Sequence, residues 1–413
     1  MKAQRSENTG QAKPQIIYAW NYLEWGGAQI YFFAIIKEVK KHFDVRIVLP
    51  EKSDEQLVNF IRKLEVPFDF IPTFADSKSE RTLIGKFQKH RNKIDSENIL
   101  VKHLQKYDLK NSIVHVELGP WQSLVALLRL ASKTCVFITA HNSIEPLSGW
   151  RFLHWKAKMK AISKFKNFNI FCSNEDAKNR FRKYFPNEFV ERIKVTYTSV
   201  NPPEIDEALA LEFNSDALKR RFDIPTDKFL VLCVGQFIDR KGRWTYLEAA
   251  KKVCEQTGDV AFVWISNSQP SDEDLRKAES FGLGENFKLI TSDRIGKNRI
   301  DLFKMFRLAD VYVLASLVEG LPISLLEAMA LGIPSISTNV FAIPEAVKNL
   351  DTGILIEAGD AYALGRAIIM LKEDADLREK LSKNGREWVL KTFDERDAAR
   401  IAIGEYKRAL GIK

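Results

Sequence analysis

Short, nearly continuous apolar runs recur along the whole chain, and most are followed by a longer stretch of helical periodicity. QIIYAW (15–20) precedes IYFFAIIKEVKKHF (30–43), and DVRIVLP (44–50) comes next. IVHVE (113–117), KTCVFITA (133–140), FNIFCS (168–173) and IKVTYTSV (193–200) continue the pattern. Strands buried on both faces read this way, and they belong to βα units wound into parallel sheets. After Val200 the texture changes, because residues 201–228 carry three prolines and no clear strand. That stretch reads as a linker. The scheme then restarts with FLVLCVG (229–235), VAFVWIS (260–266), FKLIT (287–291), DVYVLAS (310–316), PSIST (334–338) and TGILIE (352–357). The expectation is an α/β protein of two doubly wound, Rossmann-like domains facing across a cleft. Such sheets bind ligands at their strand C-termini, so the cleft is the expected site.

At 413 residues the chain is long enough for two cores. Hydrophobic residues at 45% and charged residues at 28% exclude a disordered or membrane-spanning class. Residues 1–14 are polar throughout and read as a flexible tail rather than a signal peptide, which points to the cytoplasm. Cys135, Cys172, Cys233 and Cys254 have wide, irregular spacings that suit buried reduced thiols. All six histidines lie within the first 154 residues, so the C-terminal half has to work with carboxylates, lysines and backbone. A net charge of +9 calls for an anionic partner, and no nucleic-acid-binding motif accompanies it.

Within VEGLPISLLEAMALGIP (318–334), Glu319 and Glu327 stand eight positions apart around the start of an apolar helix expected over 322–331. Pro322 suits its first turn, and Gly332 with Pro334 suits its end. Free amides around Leu321–Leu325 would make an anion cradle at the positive end of that helix. Carboxylates on both sides of a diphosphate cradle suit the hydroxyls of a nucleotide sugar. Taken alone, the pair fits simple dipole complementarity or a solvated face equally well. A second feature is VGQFIDRKG (234–242), a turn that ends a strand and delivers Lys241 just before a helix. A lysine so placed can neutralise phosphate charge.

VGQFIDRKG, then VLASLVEGLPISLLEAMALGIPSISTNVFAIPEAV, together with WGGAQ near the N-terminus, resemble the retaining glycosyltransferases of family 4, which have the GT-B fold and a Glu-x7-Glu motif. The resemblance runs from Gln15 onward. It implies an N-terminal acceptor domain (15–200), a linker (201–228), a donor-nucleotide domain (229–392) and a C-terminal helix (393–413) crossing back to the N-terminal domain. It also implies transfer of a sugar, without a metal or other cofactor, from a nucleoside diphosphate sugar to a glycan or lipid-linked acceptor.

Position by position, Glu319 would reach hydroxyls of the donor sugar and Glu327 would hold the ribose. Gly320, Leu321, Pro322, Ile323 and Ser324 form the turn offering amides to sugar and phosphate. Lys241 matches the lysine on the diphosphate, Gly26 and Gly27 the glycine loop, and His141 the histidine beside the donor sugar. Glu345 falls in another matching motif, structural or flanking the sugar, and Arg294 would lie near the base. Two departures stand out: Gln236 replaces an arginine, with Arg240 as a substitute charge, and SNSQ (266–269) replaces a glycine-rich turn. An alternative is therefore an inactive nucleotide-sugar-binding partner of another transferase. Asp272–Asp274 and Asp374–Asp376 have the Asp-x-Asp spacing of metal-dependent transferases, but both read as surface.

From Trp150 to Phe168 the chain carries six cations and no acid, with apolar residues at helical spacing. A core-packed helix with a solvated face explains this, and so does a basic amphipathic helix lying on anionic lipid at the inner face of a membrane.

Overall fold

The computed structural model describes residues 13–20, 27–72, 83–142, 144, 147–296 and 298–412. Two parallel sheets organise it. Strands β1 (Gln15–Ala19), β2 (Asp44–Pro50), β3 (Phe68–Ile71), β4 (Ser112–Val116), β5 (Cys135–Ala140), β6 (Phe168–Cys172) and β7 (Lys194–Val195) form the first, in the order β3-β2-β1-β4-β5-β6-β7. Strands β8 (Phe229–Val234), β9 (Val260–Ser266), β10 (Phe287–Thr291), β11 (Val311–Leu314), β12 (Ser335–Thr338) and β13 (Ile354–Ile356) form the second, in the order β10-β9-β8-β11-β12-β13. The chain therefore reverses its direction of travel once in each sheet, between β1 and β4 and between β8 and β11. The loops leaving those strand ends border the crevices where such sheets hold ligands.

The N-terminal sheet is sandwiched between two apolar layers. One is built by Leu127, Leu130, Met159, Ile162 and Phe181, the other by Tyr31, Phe32, Ile35, Ile36 and Leu57. The closing helix Glu395–Leu410 belongs to the second layer, inserting Ala402 and Tyr406. Tyr406 Oη stands 2.6 Å from His115 Nδ1 and 3.2 Å from Tyr18 Oη, and His115 Nε2 is 2.8 Å from Thr139 Oγ1. These buried polar groups satisfy one another, so the end of the chain is bonded into the first domain.

Residues 201–228, expected as a linker, contain two capped helices. Asn201 caps Pro202–Ala210 through Glu204 N, and Asn214 caps Ser215–Arg221 through Ala217 N. Ile205, Ala208, Phe222 and Ile224 from this stretch are buried in the C-terminal core, so it packs as part of that domain. The two passages between domains run side by side, with Val200 N bonded to Phe393 O at 2.9 Å and Glu395 N to Val200 O at 3.0 Å. IKVTYTSV yields only a two-residue strand, because Thr196 N and Thr198 N continue onto the Cys172 and Ser173 carbonyls outside the regular ladder. The four cysteines are free.

Candidate functional site

At the C-terminal end of β8 the chain turns through Gly235 and Gln236 into a short 3-10 turn, Asp239–Lys241, followed by the helix Arg243–Gln256. Gly242 joins them with φ of 72°, and a Cβ there would fall 1.8 Å from the Ala315 carbonyl oxygen, so this position admits only glycine. That close approach presses the Lys241 turn against the end of β11. Leu317 N donates to Arg240 O at 2.8 Å and Arg240 Nη1 donates to Val318 O at 3.3 Å, fastening the two loops together.

The ammonium of Lys241 donates to Glu319 Oε1, which also accepts from Ser316 Oγ at 3.0 Å. Arg240 Nη1 stands 3.6 Å from the other carboxylate oxygen. Glu319 is 5% exposed, so this is a fixed charge cluster rather than a solvated pair. The helix behind it runs Ile323–Ala330, with Pro322 as its N-cap residue. Leu325 N and Leu326 N bond Pro322 O, which leaves Ile323 and Ser324 as the helical amides of the open end. The Ser324 hydroxyl is committed inward, donating to Val234 O at 3.1 Å and standing 2.8 Å from the Tyr312 hydroxyl. Ser324 can thus offer a ligand only its main-chain N–H.

Glu327 is buried at 3% exposure on the same helix. Its counter-charge escaped the sequence reading: Arg299 Nη2 donates to Glu327 Oε1 at 2.6 Å, while Arg299 Nε donates to Glu204 at 2.9 Å. Burial pushes the Glu327 carboxyl above its ordinary range, and Arg299 pulls it back down. The signal was present in principle, since a glutamate inside ISLLEAMA requires a cation somewhere in the fold. Arg294, expected near a base, is exposed, and its carbonyl accepts from Arg221 Nη2 at 3.0 Å.

The N-terminal domain reaches the same place. A Cβ on Gly320 would lie 2.3 Å from the His141 carbonyl oxygen, so the turn ahead of the Ile323 helix touches the loop leaving β5. A Cβ on Gly27, at the start of the helix Gly27–His42, would lie 3.9 Å from Ile323 Cγ2. Gly26 lies outside the described residues. The structure thus gathers Gly27, His141, Lys241, Arg240, Glu319 and Gly320 through Ser324 where the two domains meet. Gln236 is half-buried in the neighbouring turn, and Ser266 of SNSQ accepts from Phe237 N and Ser268 N, drawing that loop onto the same turn. Glu345 bridges the domains nearby, accepting from Glu175 N at 2.9 Å and Asp176 N at 2.8 Å at the start of the helix Glu175–Phe181.

In the two Asp-x-Asp stretches, Asp274 and Asp374 serve helix N-termini. Asp274 completes a capping box with Ser271 and pairs with Arg243 at 2.8 Å, and Asp374 caps the helix Ala375–Thr392.

His141 packs edge-on to Tyr31 and Phe32, and Glu117 Oε2 stands 3.9 Å from its Nε2. Burial lowers its pKa to about 4, and that of His115 to about 3. Both are neutral at pH 7, so His141 can serve a ligand as a neutral hydrogen-bonding group and not as a cation. The unfolded imidazoles take up protons below about 6.5, whereas the folded ones wait for about 4 and about 3, so stability falls as pH drops through that window. The raised carboxyls of Glu327 and Glu345 act in the opposite sense. At pH 5 each histidine costs roughly 2 kcal/mol relative to pH 7. Urea unfolding at the two pH values measures the sum, and His115→Gln is expected to remove about half of the histidine part.

Residues 214–388 match the family model described as Glycosyl transferases group 1. In sequence the chain is 27% identical over 373 residues, covering 86% of each chain, to the UDP-Gal:alpha-D-GlcNAc-diphosphoundecaprenol alpha-1,3-galactosyltransferase of Escherichia coli. It is 24% identical over 253 residues to an uncharacterised glycosyltransferase of Methanocaldococcus jannaschii, an alignment spanning 61% of this chain and 63% of that one. Alignments with several further curated relatives span about half of the relative's length. In structure it superposes on the Anabaena protein HepE, solved in complex with UDP, with a TM-score of 0.71 and 14% identity over 95% of this chain and all of that one. The fold is GT-B, and what the chain resembles in sequence are glycosyltransferases.

Proposed function

We propose that the chain is a retaining glycosyltransferase of family 4. It moves a hexosyl group from a nucleoside diphosphate sugar to a hydroxyl of a glycan or lipid-linked acceptor, in cell-surface polysaccharide or glycolipid assembly at the inner face of a membrane. One observation carries the reading. The Lys241–Glu319 pair stands at the open end of the Ile323 helix, at the crevice of the C-terminal sheet, with the loop of His141 against it from the other domain. Lys241 and the amides of Ile323 and Ser324 bind the diphosphate and stabilise the charge that grows on it as the glycosidic bond breaks. Lysine has three donors, so it can serve a phosphate oxygen without releasing Glu319. Glu319 accepts from hydroxyls of the transferred sugar, and Glu327 orients the ribose. The departing diphosphate then takes the acceptor's proton on the face where the new bond forms. The E. coli relative, named for UDP-galactose and a diphosphoundecaprenol-linked sugar, supports a polyprenyl diphosphate acceptor.

Gln236 favours a second reading, in which donor is bound but not turned over. Thermal unfolding against a panel of nucleoside diphosphates and their sugars tests both. One nucleotide class is expected to raise the midpoint, by about 2.7 kcal/mol of added stability at a hundredfold excess over Kd. A flat response across the panel removes the proposal. Binding with neither donor hydrolysis nor transfer selects the second reading.

A further inference from the structure

Helices connecting parallel strands run antiparallel to them, so their first halves lie at the strand C-terminal end, which is the cleft end of the domain. Three such helices lie side by side on one face of the N-terminal sheet: Leu83–Leu104, Pro120–Ala131 and Gly149–Ile162. Of the five most exposed large hydrophobic residues among those described, four stand on the first halves of these helices: Trp150 at 73%, Phe87 at 68%, Leu153 at 65% and Val125 at 61%. Scattered apolar exposure is ordinary, but its concentration at one end of three neighbouring helices is not. A stack of Trp121 on Trp155, with ring centres 5.8 Å apart, joins the second and third helices, and Lys158 Nζ donates to Trp121 O at 3.0 Å.

The charge on this face is predominantly positive, and the acids of its first helix, Asp95 and Glu97, are paired with Arg91 and Lys93. The helices Pro120–Ala131 and Gly149–Ile162 contain no aspartate or glutamate. Arg151, Lys156, Lys158, Lys160, Lys164 and Lys166 make no ion pair among the described residues. Arg151 and Lys156 flank the apolar residues on the third helix, with further cations along its second half, and the patch carries a tryptophan, a side chain suited to the boundary between headgroups and acyl chains. Among the described residues no helix is long and apolar enough to cross a membrane, so a lipid contact made here lies on the surface of the bilayer.

We infer that this three-helix face seats the protein on a bilayer containing anionic lipid. Trp150, Leu153, Val125 and Phe87 enter the interface, and the exposed Arg151, Lys156 and Lys160 meet the headgroups. Because the apolar residues stand at the cleft end of the domain, docking brings the open site toward the membrane, where a lipid-linked acceptor presents its hydroxyl. That last consequence rests on the proposed function; the docking itself does not.

The test is sedimentation of the full chain with phosphatidylcholine vesicles, with and without phosphatidylglycerol. Binding is expected only with phosphatidylglycerol, and it should be released by high salt. Trp150→Ser with Leu153→Ser should weaken it roughly tenfold or more, and Lys156→Glu with Lys160→Glu by at least about fivefold for each site. Both variants should keep the thermal response to nucleotide, which shows that they fold and separates this inference from the transferase reading. No sedimentation with anionic vesicles at low salt overturns the inference. So does binding that both variants leave unchanged, since the contact would then lie elsewhere. Vesicle binding by a chain that answers no nucleotide would sink the transferase reading and leave the docking face standing.

Discussion

Arg299→Met is expected to destabilise the folded chain by about 3–5 kcal/mol, the usual cost of leaving one member of a buried ion pair alone. Arg299 lies between Glu327 at 2.6 Å and Glu204 at 2.9 Å, and Glu327 is buried on an otherwise apolar helix. Methionine fills much of the volume but leaves two carboxylates without a cation. The deficit should be largest at neutral pH. Burial already raises the Glu327 carboxyl, and without Arg299 it rises further, so the folded variant holds a proton that the unfolded chain has released. As pH falls toward that raised pKa, ionisation is no longer demanded and the gap to the parent narrows. Adding Glu327→Gln should restore part of the loss at pH 7, because an amide needs hydrogen bonds but no counter-ion. Urea midpoints of the parent, both single variants and the double variant form the cycle. An Arg299→Met chain as stable as its parent at pH 7 would show that the network carries no such charge.

Arg299 also marks where sequence reading stops. The strands of the second sheet were legible because parallel strands buried on both faces are written as unbroken apolar runs, and VAFVWIS and FKLIT have the bounds they suggested. Edge strand β3, FDFI, escaped notice. It lies at the sheet edge against β2, is four residues long and is interrupted by Asp69, whose carboxylate meets Arg46 at 3.2 Å, so it makes no continuous apolar run. The helices of 201–228 were hidden by their prolines, two of which open a helix at the position where the missing N–H costs nothing. At the site, the sequence placed Lys241 and Glu319 in loops that follow strands, and the family resemblance supplied the roles expected of them. Arg299 could not be placed this way, since only the folded chain brings the helix Arg299–Phe306 against Pro202–Ala210 and the Ile323 helix. A lone arginine in KNRIDLF reads as a solvated side chain until the carboxylates it serves are in place.

Glu319→Gln is expected to lower transfer by about a hundredfold to a thousandfold while leaving nucleotide binding nearly intact, the range for losing one fixed electrostatic contact to developing charge. Glutamine keeps the shape and can still accept from Ser316 Oγ, so the turn from Ser316 to Gly320 should hold its path. What disappears is the negative charge that holds Lys241 on one side and would receive sugar hydroxyls on the other. Lys241 and Arg240 would remain to meet a diphosphate, and with the carboxylate gone their positive field is less offset. The Kd for the free nucleoside diphosphate should therefore stay level or tighten, even as turnover collapses. Lys241→Ala should do the reverse to binding, weakening the diphosphate contact along with transfer. A Glu319→Gln chain that loses nucleotide affinity in step with rate would assign the carboxylate to building the pocket. A chain that keeps full turnover would remove Glu319 from the reaction, because a side chain this buried, bonded to Lys241 and Ser316, has no second way to reach a sugar.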